Sequence, residues 1–209
     1  MSPSDKQPAP EDRRAAIVGA ADDLLERGGL EHLTIRSVLA RTGLARRAFY
    51  ECFAGKDDLV LAVFEDNMRR AAGHFRDVKL ERDDALTRLE YLVRVILGAN
   101  VEGGESDDPR GRRGVALSRE HLRLAESRPA ELEKATRPLI EAMVEELERG
   151  MAQGIIRRAD PQILATLVYQ LVSATAHTEL IAQEEGRSRA GRGEFADATW
   201  EFCRRAIAA

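Results

Sequence analysis

Five side chains able to grip a polyanion fall between residues 34 and 56: Arg36, Arg41, Arg46, Arg47 and Lys56. Only Glu51 opposes them, so this stretch carries a net charge of +4 in a chain whose total is -4. A globally acidic chain does not coat nucleic acid, so any such chemistry is confined to this stretch. Arginine can bond guanine O6 and N7 as a pair, each good pair giving roughly 1 to 3 kcal/mol of discrimination. Arg46 and Arg47 are therefore candidate base readers.

Such donors read a groove only if a helix presents them on a fixed scaffold. Thr34 is a good N-cap for a short helix ending near Arg41, Gly43 allows a tight turn, and a second short helix covers about residues 45 to 51. Two short helices joined at a glycine predict a helix-turn-helix, with Leu44, Phe49 and Phe53 as its apolar anchors. Before it, a helix over 11 to 27 carries Ile17, Ala20, Ala21, Leu24 and Leu25 on one face, with Pro10 near its start and Gly28 and Gly29 at its stop. After it, Lys56 opens a longer helix with Asp57 and Asp58 in its first turn and Val60, Val63, Phe64, Met68, Ala71 and Phe75 along its inner side.

The ordered set Thr34, Val38, Gly43, Leu44, Phe49, Tyr50, Phe53, Lys56 and Leu59 resembles the DNA-binding module of the tetracycline-repressor-like (TetR) family. The resemblance runs from Gly29 to Leu59; beyond it only length, helical content and the order of elements agree. It implies that Thr34, Tyr50 and Lys56 hold phosphates and that Arg36 approaches the groove. Three positions depart from the family pattern: Ala45 stands where a serine is usual, Ala48 where a threonine is, and Cys52 where a histidine is common. Ala45 remains a candidate DNA-contacting position, but without a hydroxyl it forgoes an N-cap of about 0.5 to 2 kcal/mol and a phosphate contact.

The remainder reads as all-α, about nine helices in total, because apolar residues recur at helical spacing and no stretch alternates long enough for a strand. The expected elements are a helix near 83 to 100, a loop over 101 to 114, a helix near 115 to 125, a long segment over 129 to 153, a helix from Pro161 to about 184 capped by Asp160, and a last helix near 194 to 208. Pro138 is expected to kink or divide the long segment. His121 shares a stripe with Leu117, Leu124 and Ala125, and His177 lies between Ala174 and Ile181. These two, with Tyr91, Asn100 and Trp200, are candidate ligand-lining residues; the plainer alternative is that the histidines are hydrogen-bonded members of a core. Neither histidine has a second metal ligand at i+3 or i+4, so no metal is expected.

Catalysis is not expected either, and no cofactor. Ser118, Glu120 and His121 lie within one helical turn and point in different directions, so they form no nucleophilic relay by themselves. The glycine stretches GGES and GRGE lack the spacing and preceding strand of a phosphate loop. Cys52 and Cys203 sit apart in helical patterns with no CxxC, which argues against a disulfide framework or zinc site. No uncharged apolar run approaches the roughly 20 residues of a membrane span, and the first ten residues lack a signal-peptide core.

The expectation is a cytoplasmic, ligand-responsive regulator built from a disordered tail over 1–10, a DNA-binding helix-turn-helix domain over 11–56, and a helical effector-binding and dimerisation domain over 57–209. Its expected partners are a double-stranded DNA operator, a small-molecule effector and a second copy of the chain docked through the last two helices. Repression relieved by the effector is the leading reading; the rival is a helical binding protein whose helix-turn-helix has degenerated at Ala45 and Ala48.

Overall fold

The computed structural model describes residues 9–98, 109–184 and 192–209. Among them are nine α-helices: α1 (Pro10–His32), α2 (Ile35–Thr42), α3 (Arg46–Cys52), α4 (Lys56–Asp77), α5 (Ala85–Ile96), α6 (Pro109–Ser127), α7 (Pro129–Ala152), α8 (Pro161–Glu184) and α9 (Arg192–Ile207). The all-α expectation holds. The one β feature among these residues is an isolated antiparallel bridge between Ile156 and Ala208, which fastens the C-terminus to the α7–α8 connection.

Several boundaries follow from local chemistry. The regular part of α1 ends at Gly28 and Gly29, the latter at φ 64°, and a last turn runs on to His32. Asp160 caps α8, its Oδ1 accepting the Gln162 and Ile163 amides at 2.8 and 3.2 Å. Asp84 caps α5 by accepting the Thr87 amide at 2.9 Å, so that helix begins two residues later than its pattern suggests.

One expectation is corrected and one open alternative is narrowed. The supposed loop up to residue 114 is helical from Pro109 onward, because Ala116 and Leu117 pack in the core formed by α1 to α4, and that packing outweighs the poor helix propensity of Gly111 and Gly114. Pro138 does not divide its segment, since α7 runs unbroken through it. The carbonyl that loses its donor belongs to Lys134, an exposed residue whose carbonyl water can serve.

Three apolar clusters form the interior. One gathers Ile17, Ala21, Leu25, Val38, Phe49 and Val63 of the N-terminal helices together with Ala116. The largest joins α5, α7, α8 and α9 around Leu89, Met143, Leu147, Val172 and Trp200. Between them, Leu61, Phe64, Leu124 and Ala135 make a small bridging cluster. Helix α4 runs through all this, and six consecutive residues, Leu59 to Phe64, are at most 9% exposed. A helix buried on every side must be shared by its neighbours.

Polar groups fix the middle and the C-terminal end of that helix. Near the middle, Asn67 Nδ2 donates to Asp22 Oδ1 on α1 at 3.1 Å, and Arg70 reaches Asp22 Oδ2 at 2.6 Å. At the C-terminus, the buried Arg88 of α5 donates to the carbonyls of Phe75, of Arg76 at 3.1 Å and of Val78 at 3.0 Å, and pairs with Glu146 of α7 at 2.8 Å. One guanidinium thus supplies donors that the end of α4 lacks. Arg88→Met keeps the stem but strands these acceptors, and we expect it to lower the unfolding free energy by about 3 kcal/mol in denaturant titrations. A loss under about 1 kcal/mol would show that water replaces the guanidinium without difficulty.

Candidate nucleic-acid interface and ligand cavity

The helix-turn-helix is assembled from its caps. Thr34, extended at φ -126° and ψ 154°, accepts the Ser37 amide at 3.0 Å, while Ser37 Oγ accepts the Thr34 amide at 3.0 Å, a reciprocal capping box that starts α2. Gly43, at φ 68°, ends α2 with its amide on the Leu39 carbonyl at 2.9 Å, a conformation that suits glycine. Helix α3 then starts at Ala45 with no side-chain cap. Ala48 and Phe49 face inward, and Phe49 packs edge-on to Tyr50 and beside Phe53, with ring centroids 5.4 and 5.6 Å apart.

With α3 anchored on that side, Arg46, Arg47 and Tyr50 project to solvent, and the Arg47 side chain is 90% exposed. The Arg46 guanidinium lies 5.7 Å from the centre of the Tyr50 ring. Arg36 is exposed on α2. Lys56 is also exposed but donates to the Leu30 carbonyl at 3.0 Å, so its ammonium has a protein partner as well as free protons. Thr34 spends its hydroxyl on the cap just described.

Sequence reasoning counted Glu51 but not the pairings that the fold imposes. Glu51 receives Arg47 Nε at 3.1 Å from its own helix and Arg13 at 3.0 Å from α1. Arg41, counted among the local positive charges, is bound to Asp23 of α1. The Arg47–Glu51 pair was legible from its i,i+4 spacing. The two contacts to α1 needed the tertiary structure.

The family described as "Bacterial regulatory proteins, tetR family" matches residues 17–63, the span that contains these features. That match identifies residues 17–63 as a tetR-type DNA-binding module. No curated protein matches the chain. Among solved structures it is similar to RolR in complex with resorcinol (TM-score 0.68, 18% identity, 94% of this chain and 93% of that one). It is similar too to a TetR-family regulator from Agrobacterium tumefaciens (0.61, 19%, 96% and 100%) and to one from Pectobacterium atrosepticum (0.62, 22%, 94% and 91%). At these identities the likeness shows a shared fold alone, over 94 to 96% of this chain.

Behind the tetR module lies a cavity of about 660 Å³ between α6, α7 and α8. His121 of α6, Leu132, Thr136 and Ile140 of α7 and Tyr169 of α8 line its inner part, and Glu133, Arg137, Glu141, Gln162 and Gln170 its mouth. The His121 ring stands between Phe64, with centroids 6.1 Å apart, and Tyr169, at 5.9 Å. Burial, and secondly the proximity of His177, hold the His121 imidazole below its ordinary value. Burial pushes the Tyr169 hydroxyl up to about 12, partly offset by its bond with Ser173.

Of the candidate ligand residues, His121 lines this cavity. His177 is hydrogen-bonded through Nδ1 to Ser118 Oγ at 3.1 Å, which fastens α8 to α6. Tyr91 bonds His74 across α4 and α5 at 2.6 Å, and Trp200 is packed in the large cluster, so neither reaches the cavity wall. Asn100 lies outside the described residues. Tyr169 and Ile140 were not singled out in the sequence, where an aromatic or aliphatic residue on an apolar stripe looks like any core residue. The two cysteines are unpaired, and burial pushes the Cys203 thiol up to about 11. No group of three potential ligands that could hold a metal is present among the described residues, and no helix among them is long and apolar enough to cross a membrane.

The depressed His121 has a thermodynamic consequence. A histidine kept neutral in the folded state binds its proton more readily when unfolded, so its contribution to stability is present above the ordinary value of 6.5 and declines as pH falls below it. We expect His121→Gln to flatten the loss of thermal stability between about pH 7.5 and 5.5 relative to the unaltered protein. Parallel curves for the two proteins would show that His121 is not held neutral by its surroundings.

Proposed function

We propose that the protein is a ligand-responsive transcriptional regulator, a repressor that leaves its operator when a small molecule fills the α6–α7–α8 cavity. The observation that carries this reading is the course of α6. Its residues His121 and Ala125 line the cavity, while Ala116 and Leu117, one to two turns earlier, sit in the core of the DNA-binding module. Two ion pairs add to the link: Arg123 lies 3.6 Å from Asp57, and Arg128 3.4 Å from Asp58, both in the first turn of α4. A ligand that shifts α6 therefore acts on the reading module without an intermediary. That a protein of similar fold, RolR, holds resorcinol supports a ligand-binding role for the C-terminal helices.

We take the division to be a DNA-binding domain over 11–56 and an effector and dimerisation domain over 57–209, with α4 packed against both; of the expected tail over 1–10, residues 1–8 lie outside the described residues. Arg46 and Arg47 read base edges in the major groove, while Thr34, Tyr50 and Lys56 hold phosphates, Arg36 approaches the groove and the Ala45 backbone lies at the start of the recognition helix. A DNA target places the protein in the cytoplasm.

A two-fold dimer through α8 and α9 supplies the second reader. Trp200, Cys203 and Ile207 of α9 are buried in their own subunit, which leaves Ala198, Phe202 and Ala206 outward beside Ile163, Leu167 and Leu171 of α8. Phe202 is 65% exposed and both Ile163 and Leu167 are 57% exposed, apolar side chains on both helices that a second copy would cover.

The test is a mobility-shift titration over a range of salt, using DNA from upstream of the protein's own gene and an unrelated duplex. Arg46→Ala and Arg47→Ala are expected to weaken specific binding by about 1 to 3 kcal/mol each with little change on unrelated DNA, whereas Lys56→Ala weakens both and lowers the salt slope by about one. Equal affinity of the unaltered protein for the two duplexes would favour the degenerate reading, for which the uncapped Ala45 speaks. Light scattering of the same samples should return twice the chain mass; a mass of 23.2 kDa would remove the dimer.

A further inference from the structure

We propose that the cavity takes uncharged aromatic compounds that carry a hydroxyl group, and that His121 is the residue that reads the hydroxyl. This rests on the reading of the cavity as the effector site and adds the chemistry that the site selects. Charge is sorted by depth. At the mouth, Glu133, Arg137 and Glu141 follow one another at four-residue steps on the exposed side of α7, two acids flanking one base, and Gln162 and Gln170 of α8 are exposed as well. Inside, the wall consists of His121, Leu132, Thr136, Ile140 and Tyr169 and holds no full charge, because burial keeps the imidazole neutral and the phenol protonated. A carboxylate or ammonium brought to that depth would shed its hydration and meet no counter-charge.

The hydrogen-bonding capacity of the wall selects further. Thr136 Oγ1 donates to the Leu132 carbonyl at 2.9 Å, and the Tyr169 hydroxyl lies 4.0 Å from Met68 Sδ, so both have protein partners. The His121 ring has no hydrogen-bond partner among the described residues, although it is flanked by two rings and opens onto the cavity. A neutral imidazole offers one donor and one acceptor, and a hydroxyl group can satisfy either. The flat body of the ligand finds its place beside the same residue, where the rings of His121 and Tyr169, 5.9 Å apart and edge-on, both line the cavity and favour a further aromatic contact. A volume of about 660 Å³ accommodates a two-ring or three-ring compound.

Calorimetric titration of the full chain at pH 7.5 with four probes of one shape, 2-naphthol, naphthalene, 2-naphthoate and 2-naphthylmethylammonium, tests the inference. We expect 2-naphthol to bind at least about tenfold more tightly than either charged probe, and His121→Phe, which keeps the ring and its neighbours, to cost 2-naphthol about tenfold while naphthalene changes less than about twofold. A charged probe that binds as well as 2-naphthol, a variant that weakens 2-naphthol and naphthalene alike, or no binding by any probe would overturn it. If 2-naphthol binds as expected yet leaves operator affinity unchanged in the shift assay, the chemistry of the cavity stands and the effector reading falls.

Discussion

The structure turns on the burial of α4 from Leu59 to Phe64. Six successive side chains cannot face one neighbour, because they sweep more than a full helical turn. Val60 and Val63 belong to the core of the reading module, Leu61 and Phe64 to the bridging cluster, and Ala72 and Phe75 farther along to the large C-terminal cluster. Interiors packed at crystal density do not deform gradually, so the helix moves with its neighbours or not at all. Phe64 also stands against His121, which places the cavity wall one side chain away from this helix.

Helix α6 is the second member of the linkage. It touches the module core at Ala116 and Leu117, the bridging cluster at Leu117 and Leu124, and the cavity at His121 and Ala125. The polar contacts around this linkage are of two kinds. Buried Asp22, Asn67 and Arg88 hold α4 to α1 and α5 with groups that cannot be left unpaired, which makes those joints stiff. The pairs from Arg123 and Arg128 to Asp57 and Asp58 are longer and nearer solvent, so they can break and reform at little cost. A unit with stiff joints along its length and soft ones beside the reader suits a device that reorients a domain without unfolding it.

What was legible in the sequence was local. Thr34, Gly43, Asp160 and Pro161 announce helix ends through bonds to backbone atoms a few residues away, and the structure has helix ends at those places. The start of α6 was misplaced because its glycine-rich and arginine-rich first turns carry no apolar stripe, and the packing that makes them helical comes from α1, about 100 residues earlier in the chain. The cavity was half legible for the same reason. His121 is conspicuous as a lone histidine on an apolar stripe, but its companions Thr136, Ile140 and Tyr169 come from two other helices and look like ordinary core residues in sequence. Tyr91 was equally conspicuous, yet its hydroxyl is taken by His74. The Glu51 contacts on the recognition helix divide likewise, with the i,i+4 half visible and the α1 half not.

Our proposal that a filled cavity releases the operator requires that occupation change the spacing of the two DNA readers in the proposed dimer. It is tested most directly by the distance between spin labels on the two modules, attached at Ala40→Cys, an exposed site on α2, in a Cys52→Ser background; Cys203 is buried and its thiol is held up at about 11, so it competes little for the label. Bound to operator DNA, the dimer should give one narrow distribution, fixed by half-sites about 34 to 36 Å apart or a multiple of that spacing. Free of DNA and saturated with 2-naphthol, it should give a distribution displaced from that one, and His121→Phe at the same 2-naphthol concentration should not. The same distribution with and without 2-naphthol, or no distance between subunits at all, would contradict the account.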